Sequence, residues 1–375
     1  MSTEKSFAIG CFNFGVKKTP PFEFKGSEYL EELQKTLLKV NDLTNLTIHS
    51  DEDFPKYKES INKKTLNLQK DKGHFPNPLV LEIEFSLHIP YKIQAKIIGD
   101  KKKYLRTYTE NFNVKIINGY EIPVAIVESI NPKKKNDPTS AVQIVREYIR
   151  NEFKEIKSEY IRFECLGPSP FHLDCFLKPK KPSKESEWFF ETEEILQKGY
   201  DEMIIYYNQN EFEDAEEAMQ NLKFTIRDEL GFYYFSQQAR VQRMHSWSAL
   251  QKKLQKLIEI QQTKGILGTY KKFFLRPKLI GELFTGLATF EGENIFGNNY
   301  HQNNYKQTFY VEEEIIFKKF IDKRLDEKDD YPIQQISNLV SFFESRRVKS
   351  LELTMAIIAS LIGGAIGSLI TILLQ

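Results

Sequence analysis

Cysteine is scarce in this chain. Its 375 residues include three, Cys11, Cys165 and Cys175, too few for a disulfide framework and suited to a reducing cytoplasm. Histidine is scarce too, and the six that occur, His49, His74, His88, His172, His245 and His301, are scattered. The nearest thing to a metal cluster is Cys165-x6-His172-x2-Cys175. It offers three ligands across a Pro-rich stretch, and strand alternation sends His172 and Cys175 to opposite faces. G-x-S-x-G, H-E-x-x-H and the dinucleotide fingerprint are all missing. Gly10-x4-Gly15-Val16-Lys17 has the outline of a phosphate loop. However, Val16 separates the second glycine from the lysine, and Lys18 stands where Ser or Thr is required. Together these gaps argue against an enzyme and give no reason to expect a metal or other cofactor. Internal repeats are also missing, and Met1 to Ser6 lacks the apolar segment of a signal peptide.

Long hydrophobic runs are missing from the body of the chain, but one closes it. From Leu353 to Leu374 there is no charged side chain. At about 1.5 Å per residue the run reaches roughly 33 Å, enough to cross a hydrocarbon core of about 30 Å. Its few polar side chains, Thr354, Ser360, Ser368 and Thr371, carry hydroxyls that can bond back to a helix backbone. A single membrane-spanning helix is expected over 351–375. Arg346, Arg347 and Lys349 precede it and nothing basic follows, so the N-terminal body is expected on the cytoplasmic side of the membrane. Ala359, Gly363 and Gly367 form a small-xxx-small series, with Ser360, Gly364 and Ser368 as a second one beside it. Small residues at this spacing let helices approach closely in lipid, so self-association is favoured. The second series continues to Thr371, giving a weakly polar stripe that could line an aqueous path in a ring of helices.

The remaining chain is long enough for two domains, and 28% charged with 41% hydrophobic residues is the balance of a folded body. The expected class is α+β, with an antiparallel sheet and packed helices over 1–185 and a mainly helical domain over 186–350. Phe7 to Val16 reads as a strand. Ser27 caps a helix to about Val40, with Leu30, Leu33, Leu37 and Leu38 on one face. From Leu79 to Ile89 apolar residues alternate with Glu82, Glu84, Ser86 and His88, the mark of a half-buried strand. Tyr91 to Ile98 and Tyr104 to Ile117 read as further strands. Asn118-Gly119 is expected to turn the chain into Tyr120 to Val127, with Pro123 making that strand an edge or a bulged one. Pro138 opens an amphipathic helix through Ile156. A hairpin of 160–166 with 171–177 then leads to a Lys/Pro linker at 178–184 that closes the first domain. Beyond it come a short strand at Met203 to Tyr207 and five helices, the last entered at Pro332.

Charge is nearly balanced overall, at +1, but segregated. Glu187 to Glu229 holds 13 acidic and 3 basic residues, and Ser236 to Lys278 holds 10 basic and 1 acidic. The basic block includes Arg240, Arg243, Lys252, Lys253, Lys256, Lys271, Lys272 and Arg276, the candidate residues for an anionic ligand, a nucleotide or short nucleic acid. The same block could instead pair with the acidic one. On a straight helix Val241, Met244, Leu250, Leu254 and Leu257 share an apolar face with Arg240 and Arg243 beside it. Either the helix breaks near His245 to Ser248, or the arginines face a partner or ligand.

A cytoplasmic body with a basic surface and one small-residue span resembles the C-terminally anchored membrane effectors of bacterial anti-phage systems, and among them the Hailong type. The resemblance is carried by Arg346 to Leu374 and by Arg240 to Lys278. It implies a homo-oligomeric ion channel held shut by short DNA oligomers that a partner nucleotidyltransferase makes, whose opening depolarises the infected cell. The competing expectation is a tail-anchored adaptor that recruits partners to the membrane without conducting ions.

Overall fold

Alternating apolar residues dominate the first half of the chain, and in the computed structural model they build one large sheet. The structure describes residues 4–16, 26–50, 81–99, 107–119, 122–133, 138–165, 171, 173–182, 188–197, 200–309, 315–326 and 330–373. The strands are β1 (Lys5–Gly10), β2 (Phe12–Val16), β3 (Leu43–Ser50), β4 (Leu81–His88), β5 (Asn111–Gly119), β6 (Ile122–Ser129), β7 (Ile161–Cys165), β8 (Leu173–Lys180), β9 (Phe190–Ile195) and β10 (Asp201–Asn208). The helices are α1 (Gly26–Leu37), α2 (Tyr91–Ile98), α3 (Pro138–Ile156), α4 (Ala215–Gln262), α5 (Gly265–Thr308), α6 (Lys318–Leu325) and α7 (Ile333–Leu373). The fold is α+β. Two compact units are formed, Met1–Gln238 with Asn304–Asp326, and Ala239–Asn303 with Glu327–Gln375.

In the first unit eight strands pair in the order β3-β4-β5-β6-β1-β8-β10-β9, and β2 pairs with β7 in a separate ribbon. All neighbours are antiparallel except β8 and β10, so the sheet is mixed where a wholly antiparallel one was expected. Its central strands are apolar on both faces. Phe7 and Ile9 of β1 with Val124 and Ile126 of β6 join one core, completed by Leu222, Ile226 and Leu230 of α4 and by Phe317 and Ile321. Ala8, Ala125 and Val127 join the other, completed by Leu33 and Leu37 of α1 and by Val145 and Ile149 of α3. Strand β4 is half-buried: Leu81, Ile83, Phe85 and Leu87 are buried while Glu82, Glu84 and Ser86 are only partly so, the alternation read in the sequence.

Several local expectations are corrected. Residues 91–98 alternate superficially like a strand, yet form α2, because Pro90 supplies an extended entry (φ −56°, ψ 143°) and Gln94 is buried with its amide satisfied. Gln94 Nε2 donates to the Ile89 and Thr109 carbonyls at 2.7 and 2.8 Å, and Thr107 donates to Gln94 Oε1 at 2.8 Å. Helix period also brings Ile93, Ile97 and Ile98 onto the core. Asn118 and Gly119 are not the turn but strand positions, paired with Pro123 and Ile122. Pro123 lies in an inner strand, tolerated because pairing of β6 with β1 stops at Ala125. The single strand expected over 7–16 is two, which part company after Gly10. There a Cβ would meet Val142 Cγ1 at 2.9 Å. Leu38 is 62% exposed and leaves the face of Leu33 and Leu37. The Ser27 cap falls outside the described side chains.

The expected hairpin of 160–166 with 171–177 does not form: β7 pairs with β2 and β8 with β1 and β10. Nor does 178–184 close the first unit. Lys178, Pro179 and Lys180 are strand residues of β8, matched to Tyr206, Tyr207 and Asn208 of β10, so the boundary near 185 gives way to one within α4. The sequence block could not show this, because the strand that completes the sheet lies beyond the lysine-rich stretch.

Charges on the sheet face beneath α4 are paired. Lys5 Nζ lies 2.9 Å from Glu128 and 2.6 Å from Glu216, and Lys115 Nζ lies 3.3 Å from Glu84. Burial works against the Lys5 ammonium, but Glu128 and Glu216 outweigh it and hold its pKa above the ordinary value. This network uses acidic residues to seat α4 on the sheet.

Gln94→Leu should leave two buried carbonyls without their donor. We expect a loss of about 1–3 kcal/mol in urea unfolding, with the far-UV signature of the native fold retained.

Candidate functional site

The second unit holds every residue of the expected ligand site. Its core is small: Trp247, Leu250, Leu257 and Ile260 of α4, Leu279, Ile280, Leu283, Leu287 and Phe290 of α5, and Ile336 and Val340 of α7. Here α4 and α5 run antiparallel from a two-residue connection, Thr263-Lys264. Gly265 adopts φ +79°, and a Cβ on Gly268 would stand 2.3 Å from the Thr263 carbonyl oxygen, so glycine is demanded at both positions. Farther along, a Cβ on Gly286 would meet Leu250 Cδ2 at 2.5 Å, which shows how closely the helices approach.

Helix α4 continues unbroken through His245 to Ser248, so the break that was one of the two alternatives there does not occur. The apolar face is also rotated from the one expected. Val241 and Met244 are 50% and 56% exposed, whereas Trp247, Leu250 and Leu257 are buried. The arginine puzzle is resolved by α5. Arg243 Nη1 donates to Asn294 Oδ1 at 3.2 Å and to Asn298 Oδ1 at 3.0 Å. Burial, aided by the Arg243 charge, pulls the pKa of His301 down to about 4. This guanidinium is bound by two neutral amide oxygens.

Other cations of the block divide between structural and open roles. Lys253 Nζ lies 3.0 Å from Glu282 across the hairpin. Arg276 is buried and donates through Nη2 to the Phe343 carbonyl of α7. Lys252 and Lys256 are exposed, and Arg240, Lys271 and Lys272 are half-buried. Tyr233, Tyr234 and Trp247, which neighbour the basic block, are buried. Tyr233 packs on Phe171 at 4.5 Å, and Trp247 on Phe290 at 5.3 Å. They are core residues. Lys5, Lys115, Lys180 and Lys319, which pair with carboxylates of the acidic block, belong to the first unit.

No family model, curated protein or solved structure matches this chain.

α7 is one helix from Ile333 to Leu373 and enters the uncharged run at Leu353. Among the described residues no helix is long and apolar enough to cross a membrane. Of the small-residue series, Ala359 and Ser360 are exposed; the side-chain surroundings at Gly363, Gly364, Gly367, Ser368 and Thr371 lie outside the description. Among the described residues no three His, Cys, Asp or Glu side chains stand where they could hold a metal ion. Cys175 is fully buried, and that burial pushes its thiol far up, as it pushes Cys165 to about 11.

Sequence reasoning missed a cleft of about 640 Å³ in the first unit. Phe189, Phe190, Phe212 and Phe224 line it, with Asn221, Thr225, Asp228 and Glu229. Its charged lining is acidic, so it is unsuited to a polyanion. Glu229 is buried and accepts the Ile316 and Phe317 amides at 2.9 and 2.6 Å, capping the start of α6 from another helix. No local motif announces this, because the carboxylate lies 87 residues from its amide partner.

Burial pushes the Glu229 carboxyl up to about 7, against the two amide bonds that favour its charge. The native state therefore holds a proton that the unfolded chain loses near 4.5. Stability of the first unit should fall as pH rises from about 4.5 to 7, by about 3 kcal/mol from this group. Glu229→Gln should flatten that slope in urea melts taken across the interval.

Proposed function

We propose that the chain is a membrane-anchored effector whose C-terminal helices associate into an ion channel, gated by an anionic ligand on the basic face of the second unit. What carries this reading is the continuity of α7. One helix runs from the Ile336 and Val340 contacts in the core to Leu373, taking in the uncharged run. Any displacement of the hairpin would act on α7 through the Arg276 to Phe343 bond and would reach the small-residue series without an intervening loop.

The ligand chemistry is set by the cations left open. Lys252 and Lys256 stand exposed on α4, and Arg243 supplies positive charge where the Asn294 and Asn298 amides hold it. A nucleotide or short oligonucleotide suits this surface, since phosphates are bound largely by such side chains. The resemblance to Hailong-type effectors adds a partner nucleotidyltransferase as the source of that ligand, and defence against phage as the setting. The acidic, aromatic cleft of the first unit plays no part in this reading.

Three measurements test it. Native mass of the full chain in detergent should give a closed assembly of three or more copies, and planar bilayers should show discrete conductance. Gly363→Leu with Gly367→Leu should break both, because the larger side chains keep the helices apart. A monomer or dimer without conductance would leave too few helices for a pore and would move the reading to a tail-anchored adaptor. Lys252→Glu with Lys256→Glu should weaken binding of a short DNA oligomer by at least about tenfold and flatten its salt dependence. Unchanged affinity would remove the ligand from this face. Arg243→Glu would be ambiguous, since it also breaks the contacts to Asn294 and Asn298.

A further inference from the structure

The tip of the α4–α5 hairpin presents an apolar patch that no core absorbs. Ile266 is 92% exposed, Tyr270 and Phe273 are 58%, and Phe274 is 60%. These four recur at i, i+4, i+7 and i+8, so they share one side of α5. Their rings touch one another, Tyr270 to Phe274 at 4.9 Å and Phe273 to Phe274 at 5.3 Å. Lys264 is exposed in the connection, and Lys271 and Lys272 flank the patch. Aromatic rings among lysines, with no acidic residue between Gln261 and Leu279, are the composition of a segment that lies in a membrane interface.

Register within the second unit fixes where this tip stands. The Phe290 and Tyr331 rings meet at 5.0 Å, and Arg276 reaches the Phe343 carbonyl. Advancing along α7 thus means going back along α5, and the two helices are antiparallel. Arg276 precedes the uncharged run's level by about 15 Å of helix, counted from Phe343 to Leu353, and the hairpin tip at Gly265 lies about 16 Å back along α5. The tip therefore comes level with the start of the uncharged run.

We infer that the α4–α5 tip is a second membrane contact, with Ile266, Tyr270, Phe273 and Phe274 entering the headgroup region and Lys264, Lys271 and Lys272 meeting anionic lipid phosphates. This rests on reading α7 as a span, and it moves Lys271 and Lys272 from the soluble ligand to the bilayer. It gives α7 a fixed depth, and it gives the hairpin a foothold against which a ligand could move it. Charge favours the lipid surface over a protein partner: exposed Lys264 and half-buried Lys271 and Lys272 accompany the rings at the one level where anionic headgroups would be found.

The test uses the full chain with Cys165→Ser, reconstituted in vesicles of equal phosphatidylcholine and phosphatidylserine that contain spin-labelled lipid. A fluorophore is attached at Phe274→Cys for the tip or at Ile370→Cys for the tail. Quenching at 274 is expected. Its docking equilibrium should fall about fivefold for each of Lys264, Lys271 and Lys272 changed to Glu. Quenching at 370 without quenching at 274 would overturn the tip contact and leave the span intact. The reverse pattern would keep the tip as a peripheral contact and overturn the span. Quenching at neither position would overturn both, and quenching at 274 unaffected by the three Lys→Glu changes would overturn the role given to the lysines.

Discussion

Two-sided burial of the central strands is the constraint on which the first unit depends. Phe7, Ala8 and Ile9 are each no more than 2% exposed, as are Val124 to Val127, so both faces of β1 and β6 must be covered. Helices α1 and α3 cover one face, and the first part of α4 with Phe317 and Ile321 covers the other. Where apolar cover thins toward β4 and β5, paired charges take over. Lys115 is buried against Glu84 and Glu216, and Lys223 lies 3.3 Å from Glu82. Buried ion pairs add little net stability but make mispairing costly, which fixes where the start of α4 rests.

The second unit works by different physics. Its core has few residues, and its geometry is specified by close approaches at glycine and by polar contacts between helices. Leu250 fits over Gly286, the connection folds back over Gly268, Arg243 is held by two asparagines, and Arg276 holds α7 by a backbone carbonyl. Pro277 lies inside α5 next to that last contact and cannot donate to the Phe273 carbonyl, which weakens the helix between the exposed rings and the core. A unit with a small core and polar interhelical contacts rearranges more readily than one packed on both faces of a sheet. That is what a ligand-responsive element requires.

Arginine and lysine in the basic block prove to have distinct uses. Arg243 and Arg276 turn inward, where the guanidinium can satisfy several acceptors at once, while Lys252 and Lys256 remain in solvent. A block that reads as one surface in the sequence is thus partly scaffold. The proposed ligand face is correspondingly smaller, and its charge comes from side chains that can move toward a phosphate.

Much of this was legible before the fold was known. Period-two burial in β4, the face of α3 carrying Val142, Val145, Ile149 and Phe153, and the helix entered after Pro332 are local patterns, and local patterns follow from backbone periodicity. The uncharged run and its small-residue spacing, with the charge segregation, are likewise properties of the sequence itself. What only tertiary structure decided depends on partners distant in the chain. Residues 91–98 alternate like a strand but become a helix because Gln94 finds two carbonyls and a hydroxyl to bond. Lys178 to Lys180 at the end of β8 looked like a linker until β10 paired with them, Arg243 had no visible partner until Asn294 and Asn298 met it, and Glu229 had no signal until the start of α6 arrived above it. Periodicity determines which side of an element is apolar; the identity of the group across from a polar atom is fixed only when distant segments come together.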